Sequence, residues 1–173
     1  MKLKTLKITG NNIFHYLYGA TGTGKTEVFL SCAEKILDQG KGVIYLVPEI
    51  SLTHQVIEAV INRFGNTVAV LHSGLTGSQK LKEWNRIINK EARIVIGARS
   101  GIFAPMQNLG LVIIDEEHDI SYKSDTTPRY NAKEIAKYLA ERNNCPLVLG
   151  SATPDVCTMY QAKNKDIALY TLT

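Results

Sequence analysis

Gly19-Ala20-Thr21-Gly22-Thr23-Gly24-Lys25-Thr26 is the stretch from which the fold can be read. It fits G-x-x-x-x-G-K-[ST], the pattern of a phosphate-binding P-loop. Ahead of it, Ile13-Phe14-His15-Tyr16-Leu17-Tyr18 is apolar and aromatic, as a buried strand is. Behind it, Phe29, Cys32, Ala33, Ile36 and Leu37 share one face of a helical pattern. Strand, glycine loop and helix are the setting this motif requires; the bland alternative is a glycine-rich turn before a helix. Gly19, Gly22 and Gly24 are expected to take positive φ and bring backbone N–H groups close to a ligand. Thr21 and Thr23 complete the cradle, at a helix N-terminus whose dipole favours anions. In such a loop Lys25 reaches the β- and γ-phosphates of a bound nucleotide and the Thr26 hydroxyl ligates Mg²⁺.

Outward from the loop, apolar strands alternate with helices. Val43–Val47, Thr67–Leu71, Arg93–Ile96, Leu111–Ile114 and Pro146–Leu149 read as strands. Helices are expected over 50–63 (Leu52, Val56, Ala59 and Val60 inward), 78–89 (Leu81, Trp84 and Ile88 inward) and 131–142 (Ala132, Ile135, Ala136 and Leu139 inward). Residues 1–12 suggest a short edge strand and turn, and the tail a short helix and a strand near Ile167–Leu172. Strands apolar on both faces and separated by helices predict an α/β fold, a mainly parallel sheet with helices on both faces. Ligands of such sheets sit beyond the carboxyl ends of the strands, so the P-loop, Asp115 and Ser151 are expected along one edge.

At 173 residues the chain is expected to form one domain. Its 20 Lys and Arg against 16 Asp and Glu leave a net +4, which permits a polyanionic partner without demanding one. Cys32, Cys145 and Cys157 form no C-x-x-C and no zinc spacing, which predicts reduced thiols in a cytosolic chain. The N-terminal residues lack the apolar core of a signal peptide, and no apolar run reaches transmembrane length. No membrane partner and a cytoplasmic location are therefore expected.

Asp115 directly follows the apolar run Leu111-Val112-Ile113-Ile114, as in a Walker B site, where a strand-end carboxylate holds Mg²⁺. Glu116 beside it can orient and deprotonate an attacking water; an acidic surface loop is the alternative. On their own, His118 is equally a loop histidine, and Ser151 and Thr153 read as helix caps before Asp155.

Several ordered segments together carry a more specific resemblance. They are Tyr18 to Val28, Leu46-Val47-Pro48-Glu49-Ile50-Ser51-Leu52-Thr53, Leu71-His72-Ser73-Gly74-Leu75, Ile94 to Ser100, Asp115-Glu116-Glu117-His118-Asp119, Pro128-Arg129-Tyr130 and Leu149 to Pro154. This set resembles superfamily 2 helicases of the DExH branch and, more closely, the primosomal protein N-prime (PriA) family, from about Phe14 to Pro154. The resemblance implies the first RecA-like lobe of a replication-restart helicase that binds branched DNA, hydrolyses ATP and moves 3-prime to 5-prime. Primosome proteins and single-stranded DNA-binding protein are the implied partners. It further implies that a second lobe with arginine fingers, DNA-binding domains and zinc-binding cysteines lie outside these residues. Carried over by motif, His118, Ser151 and Thr153 couple nucleotide state to DNA, and Pro48, Glu49, Arg99 and Ser100 line the DNA path. Residues 119–130 match a DNA-sensing loop; Arg129 belongs to it, and Tyr122 or Tyr130 is expected to stack on a base.

Two other readings stay open: an RNA helicase lobe of the same superfamily, and a module in which ATP only gates binding to DNA or protein. A P-loop kinase or GTPase is the weaker reading; for the latter, Asn164-Lys165-Asp166-Ile167 places Ile where guanine recognition needs Asp.

Overall fold

The computed structural model describes residues 13–172. The edge strand expected within residues 1–12 lies outside them. Seven strands are present among the described residues: β1 (Phe14–Tyr18), β2 (Gly42–Leu46), β3 (Val68–Leu71), β4 (Ile94–Gly97), β5 (Leu109–Ile114), β6 (Leu147–Ser151) and β7 (Ala168–Thr171). They are joined through five helices: α1 (Lys25–Asp38), α2 (His54–Phe64), α3 (Gly77–Ile88), α4 (Ala132–Asn143) and α5 (Val156–Lys163). The strands form one sheet in the order β3-β4-β2-β5-β6-β1-β7, and every pairing is parallel.

Alternation along each strand splits the core in two. Val43 and Tyr45 join Ile94, Ile96, Leu111 and Ile113 against Phe29, Ala33 and Leu37 of α1 and Val60 of α2. Ile44, Leu46, Val112 and Ile114 face the other way, onto Ala132, Ala136 and Ala140 of α4. Val95, in register with Ile44 and so on its face, packs with Ile87 of α3. The small residues of α4 let its backbone come close to the sheet, and both faces are covered as expected.

Two helices differ from the sequence reading. Residues 49–51 form a separate 3-10 turn after Pro48, and α2 begins only at His54, because the Thr53 hydroxyl caps it by accepting from Val56 N at 3.4 Å. Leu52, Val56 and Val60 pack on the core as expected, while Ala59 is exposed. On α3 the buried residue is Ile87, while Leu81 and Ile88 are 60% and 42% exposed and Trp84 is half-buried. A Thr76–Gln79 capping box fixes the start of α3, and Glu83 anchors it by accepting from Val70 N at 3.3 Å. Those tethers decide which of two adjacent isoleucines turns inward.

Candidate active site

The glycine loop leaves β1 at Tyr18, and Gly19 N donates to Ser151 O at the tip of β6, two strands sharing an edge. Gly22 (φ 84°) and Gly24 (φ 91°) are left-handed, as the motif requires. Gly19 is not, contrary to expectation: its requirement is space, since a Cβ there would lie 2.7 Å from Thr23 Oγ1. Thr23 closes the loop by donating from its hydroxyl to Ala20 O at 2.8 Å. Thr21 and Thr26 are exposed to solvent at the loop's mouth. Lys25, 7% exposed, points back into the loop and donates to Gly19 O (2.8 Å) and Ala20 O (3.3 Å).

Opposite stands the acidic turn after β5. Asp115 N donates to Leu46 O, extending the pairing to β2 by one residue. Its carboxylate accepts from Glu116 N at 2.9 Å and from the buried Tyr45 hydroxyl at 3.3 Å, and that phenol also interacts with Thr26. Burial pushes the Asp115 carboxyl up to about 6; the Glu116 N–H, Lys25 and Tyr45 pull against it. Glu116 carries its carboxylate 3.8 Å from Lys25 Nζ. Its other oxygen accepts from Ser151 Oγ at 3.2 Å. Ser151 Oγ lies 2.6 Å from His118 Nδ1, and Thr153 Oγ1 is 3.2 Å from His118 Nε2. The tips of β1, β5 and β6 therefore bring Lys25, Asp115, Glu116, His118, Ser151 and Thr153 together. Ser151 and Thr153 do not cap α5; Asp155 does, accepting from Cys157 N.

A carboxylate held near 6 binds a divalent cation only after losing its proton. Any divalent cation held by this carboxylate is accordingly expected to bind about tenfold more weakly at about pH 5 than at about pH 7. A Mg²⁺ titration series across that range checks it; flat affinity would mean that Asp115 holds no cation.

The segments expected along a nucleic-acid path also meet. Glu49, Ser73, Ala98, Arg99, Ser100 and Ser121 line a cleft of about 130 Å³; Pro48, next to Glu49 in sequence, is buried and not among them. Ser73 donates to the Glu49 carboxylate across it. Arg99 is not free in solvent: Nη1 donates to Ser121 O (3.0 Å) and Lys123 O (2.7 Å), and its guanidinium lies 5.6 Å from the Tyr130 ring centroid. Tyr130 is half-buried, edge-on to Phe103 at 4.9 Å, and borders a second cleft with Lys123 and Arg129. Tyr122 corrects the sequence reading. It is 1% exposed, packed in the α4-side core, and donates its hydroxyl to Asp115 O at 2.7 Å, so it cannot stack on a base. The 3-10 turn Ile120–Tyr122 folds the ring under the acidic turn, where it serves as a support.

Sequence reasoning passed over Glu117, Lys133 and Asp155. Glu117 is 0% exposed and accepts from Lys133 Nζ (3.0 Å), Asp155 N (3.0 Å) and Tyr16 OH (3.4 Å). Lys133 also reaches Asp155 Oδ2 at 3.2 Å. Within Asp-Glu-Glu-His nothing marks the second Glu as the inward one, and Lys133 reads as an ordinary surface residue of a helix.

The DEAD/DEAH box helicase family pattern matches residues 3–161. The chain belongs to that family. Family membership implies use of ATP and a divalent metal, which fits the Lys25–Asp115–Glu116 geometry. Among similar proteins of known name, the replication restart protein PriA of Treponema pallidum (strain Nichols) is 60% identical over 88% of this chain. The replication restart protein PriA of Bacillus subtilis (strain 168) is 55% identical over 87%. The chain spans 23% and 19% of their respective lengths, so it corresponds to about a fifth of each. Among solved structures, RecG bound to a three-way DNA junction superposes with a TM-score of 0.67 at 25% identity, covering 95% of this chain and 21% of that one. The Pyrococcus furiosus Hef helicase domain gives 0.64 at 20% identity, covering 92% and 35%. The DEAD/DEAH box domain thus has the RecA-like α/β fold. No helix among the described residues is long and apolar enough to cross a membrane.

Proposed function

We propose that this DEAD/DEAH box domain is the first, ATP-binding motor lobe of a longer ATP-dependent DNA helicase. The helicase moves 3-prime to 5-prime and acts in replication restart at stalled forks. The observation that carries the reading is the 3.8 Å approach of Lys25 to Glu116, which sets the glycine loop and the acidic turn face to face on one sheet edge. The replication role rests on the names of the relatives, which also favour DNA over RNA as the substrate.

The residues fit a magnesium-bound nucleoside triphosphate. Loop amides beside the left-handed Gly22 and Gly24 receive phosphate oxygens, and Lys25 trades the Gly19 and Ala20 carbonyls for them. Thr26 and Asp115 would hold Mg²⁺, which would offset phosphate charge. Glu116 takes the proton of an attacking water. Ser151 ties Glu116 to His118 and Thr153, so a shift in the carboxylate is felt at the 151–153 loop. Ser100 and the Arg99 N–H groups not used on Ser121 O and Lys123 O offer donors to DNA backbone phosphates, which positions a strand without reading its sequence. Branched or single-stranded DNA, primosome proteins and single-stranded DNA-binding protein are the partners of the longer, cytoplasmic protein, and zinc belongs to its other regions. Without arginines from a second lobe, the 173 residues alone bind ATP weakly and hydrolyse it poorly.

In the longer protein, Glu116→Gln is expected to lower DNA-stimulated ATP hydrolysis by roughly 100-fold or more while nucleotide still binds, since general-base assistance contributes about 10²–10⁴-fold. Steady-state hydrolysis with and without single-stranded DNA, and with RNA in its place, tests this. Unchanged turnover would leave a nucleotide-gated binding module, and stimulation by RNA alone would point to an RNA helicase.

A further inference from the structure

Glu116 sits in the left-handed region, at φ 43°. A non-glycine residue holds that conformation only where its surroundings enforce it. Residues on either side show what enforces it here. Asp115 is fixed to Leu46 O and Tyr45, and Glu117 is driven into the interior, with its N–H on Gly150 O at 3.0 Å. The left-handed step is what sends Glu117 inward while Glu116 faces Lys25. Lys133, from the first turn of α4, is the cation that makes burial of the Glu117 carboxylate tolerable, and it joins the same carboxylate to Asp155.

We propose that Lys133 is a positioning residue for Glu116. By neutralising Glu117 in the interior it locks the left-handed turn and so holds the Glu116 carboxylate against Lys25 and Ser151. It also clamps the acidic turn to the segment that carries Ser151 and Thr153. A buried carboxylate that loses its neighbouring ammonium is driven toward water. Glu117 can reach water only by unwinding the turn, which carries Glu116 out of line. The inference rests on the reading of Glu116 as the group that handles the attacking water.

The test uses the longer protein with saturating single-stranded DNA, at a temperature where unfolding curves show each variant folded. Lys133→Met is expected to lower kcat for ATP hydrolysis about 10- to 100-fold, the cost of a misplaced reacting group, with KM for ATP within about threefold. Lys133→Arg should restore most of the rate. So should the double variant Glu117→Gln/Lys133→Met, in which an uncharged amide, much less costly to bury than an unpaired carboxylate, takes the place of Glu117. If Lys133→Met does not fold, Lys133→Gln replaces it with the same expectation. Wild-type kcat in the folded single variant overturns the proposal, as does a double variant no faster than the single one. Glu116→Gln in the same assay separates the two readings: if it hydrolyses ATP normally, the role of Glu116 fails regardless of Lys133.

Discussion

Lys25→Ala in the longer protein is expected to weaken binding of Mg²⁺–ATP by roughly 100-fold or more and to abolish DNA-stimulated turnover. Each charge-assisted hydrogen bond lost to a phosphate is worth about 1.5–3 kcal/mol, and an ammonium spanning two phosphates makes two. A second effect adds to the first. Lys25 lies between the glycine loop and the carboxylates of the acidic turn, 3.8 Å from Glu116, and pulls the Asp115 carboxyl downward. Its removal leaves those carboxylates facing an incoming polyphosphate with less compensation. Lys25→Arg should not rescue. The site is a pocket closed by the Gly19 and Ala20 carbonyls around a compact ammonium on a side chain that is 7% exposed, and a planar guanidinium is a poor replacement for it. Titration with a fluorescent nucleotide reads the effect, beside unfolding curves showing that the variant is folded. Wild-type affinity in Lys25→Ala would mean that the glycine loop is a structural turn after all.

Phe29→Ala is expected to destabilise the 173-residue chain by about 3–5 kcal/mol, the range for a buried Phe truncated in a core. Phe29 is 0% exposed, sits edge-on to Tyr45 with ring centroids 5.9 Å apart, and lies directly on the backbone of β6. A Cβ added at Gly150 would come 2.4 Å from Phe29 Cζ. This contact seats α1 on the sheet one helical turn beyond Lys25, so it fixes the loop as well as the core. At about 2–4 °C per kcal/mol for a chain of this size, the thermal midpoint should fall by about 10 °C. Gly150→Ala should cost about 1–3 kcal/mol by overpacking, and combined with Phe29→Leu it should cost less than the sum, because the two residues share one contact. Denaturant unfolding of these variants and of Phe29→Leu alone measures the costs. A loss below about 1 kcal/mol for Phe29→Ala would place the ring outside the core.

Much of the site was legible because its chemistry is local. Gly22, Gly24, Lys25 and Thr26 are dictated by the shape of one loop, and Asp115 by its place at the end of one strand. Parallel strands with helical crossovers then force the tips of β1, β5 and β6 onto one edge. Tyr122 and Glu117 were illegible because an inward turn among polar neighbours leaves no periodic signal; Tyr122 became a buried support and Glu117 a buried anchor. Lys133 lies 16 residues from the carboxylate it neutralises, and only the packing of α4 against β5 and β6 brings them to 3.0 Å.

The sequence by itself determined the alternation of strand and helix, the glycine loop and the identities of the groups at the sheet's edge. All of these follow from side-chain period and from backbone freedom within a few residues. Only the tertiary structure decided that Ile87 rather than Ile88 packs inward, that Gly19 is small for want of room, and that Glu116 faces Lys25 across a left-handed turn. Those outcomes depend on contacts between elements distant in the chain, where a single cap, close approach or buried charge selects among arrangements that the local pattern permits equally.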